Sequence, residues 1–399
     1  MTDSKPPLSG ITVLDFSRIL AGPYCTMLLG DMGAEILKLE PPGGDDCRHW
    51  GPPFIQGESA YFLAVNRNKK SLSLNLKHPE ARALVQRLVS QVDVLIENFR
   101  PGTMDRLGLG YDALSARHPR LIYCSISGYG QTGPLRERAG YDAVMQGEAG
   151  WMALTGEPDG MPMKVGASLA DIFTGMMASQ GILASLHRRH KTGEGEHIDV
   201  SLFDSVLSTL CYHAQGYLMT GQVPRRLGNR HPSLTPYETF ETRDGHVIAG
   251  VGNDSLWRRF TTLAQKPELE AAEFATNQGR VARYDELHSM LVPLFREKTT
   301  DEWVALFDEA GIPVGRVRNV AEVFDNPQVE DRHMRLEVEH PVLGKLPLTG
   351  NPIKLSRAGE QEPMPPPTLG EHTRSVLKER LNLDDATLRS LEDDGAFGP

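Results

Sequence analysis

The sequence predicts an α/β protein with a mostly parallel sheet and a smaller α+β domain. Two observations predict it. Short β-branched or apolar runs alternate with helical patterns through the first half, and from about Arg225 the texture changes to Gly, Asn, Arg and Pro. Length agrees: 399 residues, 40% hydrophobic and 24% charged, suffice for two domains or one large domain with an insert.

Residues 11–16, 34–40 and 71–76 read as successive strands, each an apolar run of strand length. Residues 78–90 then read as a crossover helix, and 92–98 and 120–127 extend the series, so the sheet should be Rossmann-like. A long helical pattern starts near Ser168, carries Ile172, Met176, Leu183 and Leu186 on roughly one side, and stops at Lys191, Thr192 and Gly193. A strand over 196–202 follows. The segment RRLGNRHPSLTPY reads as a crossing segment or hinge. Beyond it, Asp244-Gly245 should turn a hairpin, and 300–310 an amphipathic helix, within a small α+β domain. QEPMPPP (361–367) reads as an extended connector outside any packed element, and 373–381 as a last helix.

The formal net charge of −10 argues against a general nucleic-acid binder, so a polyanionic ligand must meet local basic clusters. Residues 1–10 show no basic region followed by an apolar one, so no secretion signal is expected. No run of about 18 apolar residues suggests a membrane span. Cys25, Cys47, Cys124 and Cys211 are widely spread without a C-x-x-C pair, which fits structural thiols in a reducing cytoplasm. No metal site is expected: His187 and His190 sit at the basic end of a helix, where cations complement the dipole. His231 either touches substrate or serves the hinge.

GYGQTG (128–133) formally matches a dinucleotide-binding fingerprint, but Pro134 stands where the phosphate-binding helix should run. A glycine loop allowing close backbone approach is the expectation. Asp171 falls in the first turn of the long helix, where the dipole favours a carboxylate. By itself it reads as an ordinary helix-start acid with Ser168 as N-cap. The small residues Gly166, Ala167, Ala170 and Gly175 leave room for a substrate to reach it, and a carboxylate suits attack on a thioester. Basic residues recur at strand ends, as Arg67, Lys69, Lys70 and Lys77 and then Arg100 and Arg106. There they either meet phosphate oxygens or form a solvated surface.

The ordered motifs VLDFSRILAGPYCTMLLGDMGAEILKLEPP, NRNKKSLSLNLK, VLIENFRPGTMDRLGLGY, YCSISGYGQTGP, GYDAV and ASLADIFTGM together resemble the class III CoA-transferase family, the CaiB/BaiF group. NPQV, EHPVLGKLPLTGNPIKLS and LGEHT continue the resemblance nearly to the C-terminus. It implies a large Rossmann-like CoA-binding domain begun by residues 1–225, a small α+β domain over 226–330, and a connector returning to the large domain over 331–399. It also implies a homodimer of interlocked rings. The implied nucleophile is Asp171. Implied CoA contacts are Leu74, Asn75, Lys77, Asn98, Phe99, Arg100, Arg106, Tyr141 and Asp142. CoA is then carrier and co-substrate, and no tightly bound cofactor is implied.

The racemase branch of the family carries a catalytic His where this chain has Tyr141, and a phenol is a poor substitute for imidazole near neutrality. Leu20 and Pro41 stand where formyl-CoA transferases have polar or basic residues. The motifs look closest to transferases acting on dicarboxylic acids, with succinyl-CoA or a similar donor. A distal carboxylate needs a cation, and Arg18 and Arg48 are the candidates. Alternatives are an acyl-CoA racemase and a non-catalytic CoA-binding protein.

Overall fold

A computed structural model describes residues 5–398. Six strands form the main sheet: β1 (Thr12–Asp15), β2 (Glu35–Glu40), β3 (Lys69–Ser73), β4 (Val94–Glu97), β5 (Ile122–Ser127) and β6 (His197–Ser201). They lie in the order β3-β2-β1-β4-β5-β6, and every neighbouring pair is parallel. The strand order therefore reverses between β1 and β4.

Alternating side chains feed two cores, as the two-residue strand period requires. Leu14, Leu37, Leu72 and Leu95 pack one face against the helix α2 (Pro79–Val89), which Pro79 opens, and against the C-terminal Leu377 and Leu388. Val13, Ile36, Val94 and Ile122 pack the other face with helices α1 (Ala21–Asp31) and α4 (Leu169–Thr192). Between them in sequence lies the short helix α3 (Asp142–Glu148).

The chain end completes the first core. Leu74 bridges Phe397, and the Asn75 N–H donates to the carbonyl of Ala396 at 2.9 Å. This is why β3 ends at Ser73 instead of continuing to residue 76 as expected. The 361–367 segment has no regular structure, yet it is packed, a departure from the expected free connector. Met364 exchanges two hydrogen bonds with Asn68, and Pro366 and Pro367 are buried.

Of the four apolar residues expected on one side of α4, Ile172, Leu183 and Leu186 are partly buried against core clusters and Met176 is the departure. Met176 is exposed, while Ala178, Ile182 and Ser185 face the core. Small residues win because α1 comes very close: a Cβ on Gly175 would sit 2.5 Å from the Ala21 carbonyl oxygen. Among the described residues α4 is the one helix long and apolar enough to span a membrane, where none was expected from sequence.

The chain forms two compact units. One comprises the residues up to Trp151, Val165–Ala214 and those from Glu330 onward; the other comprises Met152–Lys164 and Gln215–Val329. The second unit holds a three-stranded antiparallel sheet, with Tyr237–Glu241 and His246–Gly250 joined by the turn at Asp244-Gly245. Phe240, Trp257, Phe260, Phe295, Trp303 and Phe307 form its core. The helix Thr300–Glu309 begins with a capping box between Thr299 and Glu302.

Candidate active site

A cleft of about 160 Å³ opens at the carboxyl ends of β1, β4 and β5, where the strand order reverses. Open α/β sheets bind ligands at such a switch point. Residues 18–21 after β1, 98–101 after β4, 126–128 at the end of β5, 138–141, Asp171 and Leu202 line it.

The two switch-point loops are tied by one side chain. Asn98 accepts from the Arg18 N–H at 2.8 Å and donates to the Arg18 carbonyl at 2.7 Å. Glu97 lies beneath and accepts the Phe99 N–H at 2.8 Å. Burial pushes the Glu97 carboxyl up to about 7, against the pull of Ser125 and that N–H. On the far wall, Gly128 and Gly140 meet backbone to backbone. A Cβ on Gly128 would lie 3.0 Å from Gly140, so only glycine permits the approach that delivers Tyr141 and Asp142.

Asp171 stands on the first turn of α4 and lines the cleft. Ser168 occupies the N-cap position, but its side chain does not cap the helix; it meets the Tyr61 hydroxyl instead. The cap comes from Asp142, whose Oδ1 accepts the Ala170 N–H at 2.8 Å and the Asp171 N–H at 3.4 Å. Gln146 holds the other oxygen of Asp142 at 2.7 Å, and itself accepts the Val165 N–H at 2.8 Å. Burial, and then the charge of Asp142, push the Asp171 carboxyl up to about 7. Tyr61 is raised to about 12, chiefly by burial and then by Asp171.

Of the residues named from sequence, Asp171, Arg18, Asn98, Phe99, Arg100 and Tyr141 share this cleft. Asp142 stands just behind it. Leu74, Asn75, Lys77 and Arg106 lie outside its lining: Leu74 is wholly buried, Asn75 holds the C-terminal segment, and Lys77 and Arg106 are exposed. Arg48 is turned away. Its guanidinium makes two parallel bonds to Glu40, at 2.7 and 2.8 Å, and a third to the Pro367 carbonyl.

The basic run at the start of β3 is likewise already paired. Arg67 is paired with Asp31, Lys70 with Glu35, and the wholly buried Lys69 donates to Pro23 and Asn66. These cations offset acids within the fold and do not form a phosphate-facing cluster. The room expected around Asp171 from Ala170 and Gly175 is filled by helix packing. Sequence reasoning missed Arg138, which lines the cleft beside Tyr129 and Glu148; it stood in the LRERA stretch between YCSISGYGQTGP and GYDAV without any mark to single it out.

Comparison with known proteins adds the family. A sequence profile described as CoA-transferase family III matches residues 8–373. The chain is 42% identical to succinyl-CoA:glutarate CoA-transferase of Mus musculus over 98% of its length and 90% of the relative's. It is 42% identical to succinate–glutarate CoA-transferase of Agrobacterium fabrum over 95% and 97%. A CaiB/BaiF family crystal structure from Brucella suis superposes with a TM-score of 0.84 at 41% identity, covering 95% of this chain and all of that one.

Proposed function

The chain belongs to CoA-transferase family III, and from that premise we propose that it passes CoA from succinyl-CoA or a similar donor to a dicarboxylic acid through Asp171. The observation that carries the reading is the placement of Asp171: a carboxylate at the switch-point cleft, on a helix start whose peptide N–H groups are already held by Asp142. The relatives' names, with succinate and glutarate as the acids, support the substrate class.

The ionised Asp171 attacks the donor's thioester carbonyl carbon; the C–S bond breaks, giving an acyl-aspartyl anhydride and CoA thiolate. The thiolate then attacks the aspartyl carbonyl, releasing the donor acid and leaving an aspartyl-CoA thioester. The acceptor carboxylate attacks that thioester, and the released thiolate takes the acceptor's acyl group from the second anhydride, restoring Asp171. One thioester replaces another, so the exchange runs without an outside energy source. Backbone N–H groups at the cleft wall suit the developing oxyanion.

Lys77, Arg100 and Arg106, all exposed, are the proposed partners of CoA phosphates; Leu74 and Asn75 shape the β3 end beside them. Arg18 is the proposed grip on the distal carboxylate. Among the described residues its guanidinium pairs with the exposed Asp46 at 3.2 Å and lies 5.2 Å from the centre of the Phe99 ring, while its Nε has no hydrogen-bond partner. Arg48 is reassigned to the scaffold. Tyr141, with no histidine in the cleft lining, favours transfer over racemisation.

The strand order supports a Rossmann-like description of the large unit. Exposed Leu218, Met219 and Val223 favour burial against a second copy, in keeping with an interlocked homodimer. Four free thiols fit a reducing, cytoplasmic setting.

Incubation with succinyl-CoA and a panel of mono- and dicarboxylates, with acyl-CoA products read by mass, tests the proposal. Transfer to dicarboxylates is expected; no transfer to any of them overturns the substrate class. Hydroxylamine added during turnover should convert Asp171 to a hydroxamate, and an active enzyme with Asp171 unmodified rules out the covalent route.

A further inference from the structure

We infer that Asp45, carried on Lys38, is a positioning residue that holds the 18–20 wall of the cleft in its working shape. Ile19 has φ +69°, the left-handed region. A β-branched residue is a genuine outlier there, and such a conformation persists only where its surroundings over-determine it. The surroundings here are the buried Asp15, Lys38 and Asp45 and the half-buried Asn98, which account for the neighbouring backbone polar groups. The Ser17 N–H goes to Asp15 at 2.8 Å and the Ser17 carbonyl to Lys38 Nζ at 3.0 Å. Both polar groups of the Arg18 backbone go to Asn98. The Ile19 N–H is shared between the two Asp45 oxygens, at 3.1 and 3.2 Å.

Asp45 is in turn fixed from behind. Lys38 donates to it at 2.8 Å, both side chains wholly buried, and the Asp45 N–H is held by Glu40 at 3.0 Å. Burial alone would raise the Asp45 carboxyl, but Lys38 and the donated N–H bonds hold it at about 2, so the pair stays ionised at working pH. A buried ion pair is weak evidence for stability, since desolvation cancels much of the attraction. Fixing geometry is the better account. The left-handed residue turns the chain so that α1 begins at Ala21, and Ile19, Leu20 and Ala21 line the cleft that Asp171 also lines.

The inference rests on Asp171 as the reacting group, and its test separates the two. Three variants are compared with the unaltered enzyme: Asp45→Asn, and Asp45→Asn combined with Ile19→Gly or with Ile19→Ala. Turnover is read with succinyl-CoA and glutarate. Asp45→Asn should lower kcat on the order of 10²-fold, the scale of a misplaced wall, while KM for succinyl-CoA moves less than about threefold. Glycine accepts positive φ without steric cost and alanine does not, so the Gly double variant should exceed the Ala double variant in kcat by about tenfold.

Equal turnover of the two double variants, or a folded Asp45→Asn with full kcat, overturns the inference. Where the single variant fails to fold, the two doubles still decide it. Hydrogen exchange at residues 17–20 needs no substrate: protection should fall in Asp45→Asn and return with Ile19→Gly, and unchanged protection in Asp45→Asn is equally fatal. An Asp171→Ala enzyme that retains turnover sinks the reading of the nucleophile and leaves the exchange comparison standing.

Discussion

Asp142 builds the helix start on which Asp171 stands and at the same time opposes its ionisation. Its carboxylate accepts the N–H groups of Ala170 and Asp171, and its charge adds to burial in raising the Asp171 carboxyl to about 7. Asp171, the proposed nucleophile, is poorly solvated and held near its titration point, so it is costly to keep charged in the free protein. Substrate binding then meets a group ready to ionise.

That cost has a measurable sign. Below the ordinary value of 3.8, Asp171 is protonated in both folded and unfolded chains; between 3.8 and about 7 only the folded chain keeps the proton. Stability from this group is therefore fully present in acid and lost as pH rises through about 7. Asp171→Asn escapes the loss. Relative to the unaltered protein its stability should gain on the order of 2–4 kcal/mol between pH 4 and pH 8. Urea unfolding at the two pH values checks it, and a constant difference would show that the carboxyl is not held protonated.

Asp142→Asn separates capping from charge. The amide oxygen still accepts the two N–H groups, while the negative charge that raises Asp171 is gone. The acid limb of kcat/KM, which reports the free enzyme's essential base, should move to lower pH. Asp142→Ala should move it too and in addition lower stability by about 1 kcal/mol through the lost cap. A pH profile of kcat/KM for both variants, with thermal melts, distinguishes them. An unmoved limb in Asp142→Asn means that Asp142 does not set the ionisation of Asp171.

The strands were legible because a two-residue alternation and apolar runs state burial directly, and Asp171 was legible through its motif. Pairing was not. Arg67, Lys69 and Arg48 look in sequence like the exposed Lys77 and Arg106, because the acids that neutralise them, Asp31, Asp15 and Glu40, are assigned by the fold. The capping of α4 by Asp142 joins positions 28 and 29 residues apart. Ser168, the nearer and expected cap, is drawn to Tyr61 instead. The end of β3 depends on residues beyond 370, as the bonds from Ser73 to Thr373 and from Asn75 to Ala396 show. No local pattern announces such partners.

Glu97 should act on CoA binding through the loop it supports. Glu97→Ala leaves the Phe99 N–H without its acceptor and frees the segment carrying Phe99 and Arg100. KM for the acyl-CoA should rise about tenfold, while Glu97→Gln, which keeps an acceptor oxygen, should stay within about twofold. Steady-state kinetics at saturating acid decides it. Equal effects of the two substitutions would count against the N–H contact as the cause.

Arg18 and Arg48, equivalent candidates from sequence, should part company by experiment. Arg48 is nearly buried and bonded to the buried Glu40. Arg48→Ala leaves that carboxylate unpaired and should cost about 3–5 kcal/mol of stability. Arg18 is partly exposed, paired with a surface acid and set over the Phe99 ring, two weak contacts, so Arg18→Ala should lower the melting temperature little. Its effect belongs to the acceptor: losing a charge-assisted contact should raise KM for a dicarboxylate by about 10- to 100-fold and spare a monocarboxylate of the same length. If Arg18→Ala raises both constants alike, its guanidinium serves the cleft in general and the distal carboxylate must be held elsewhere, with Arg138 across the cleft as the next residue to change.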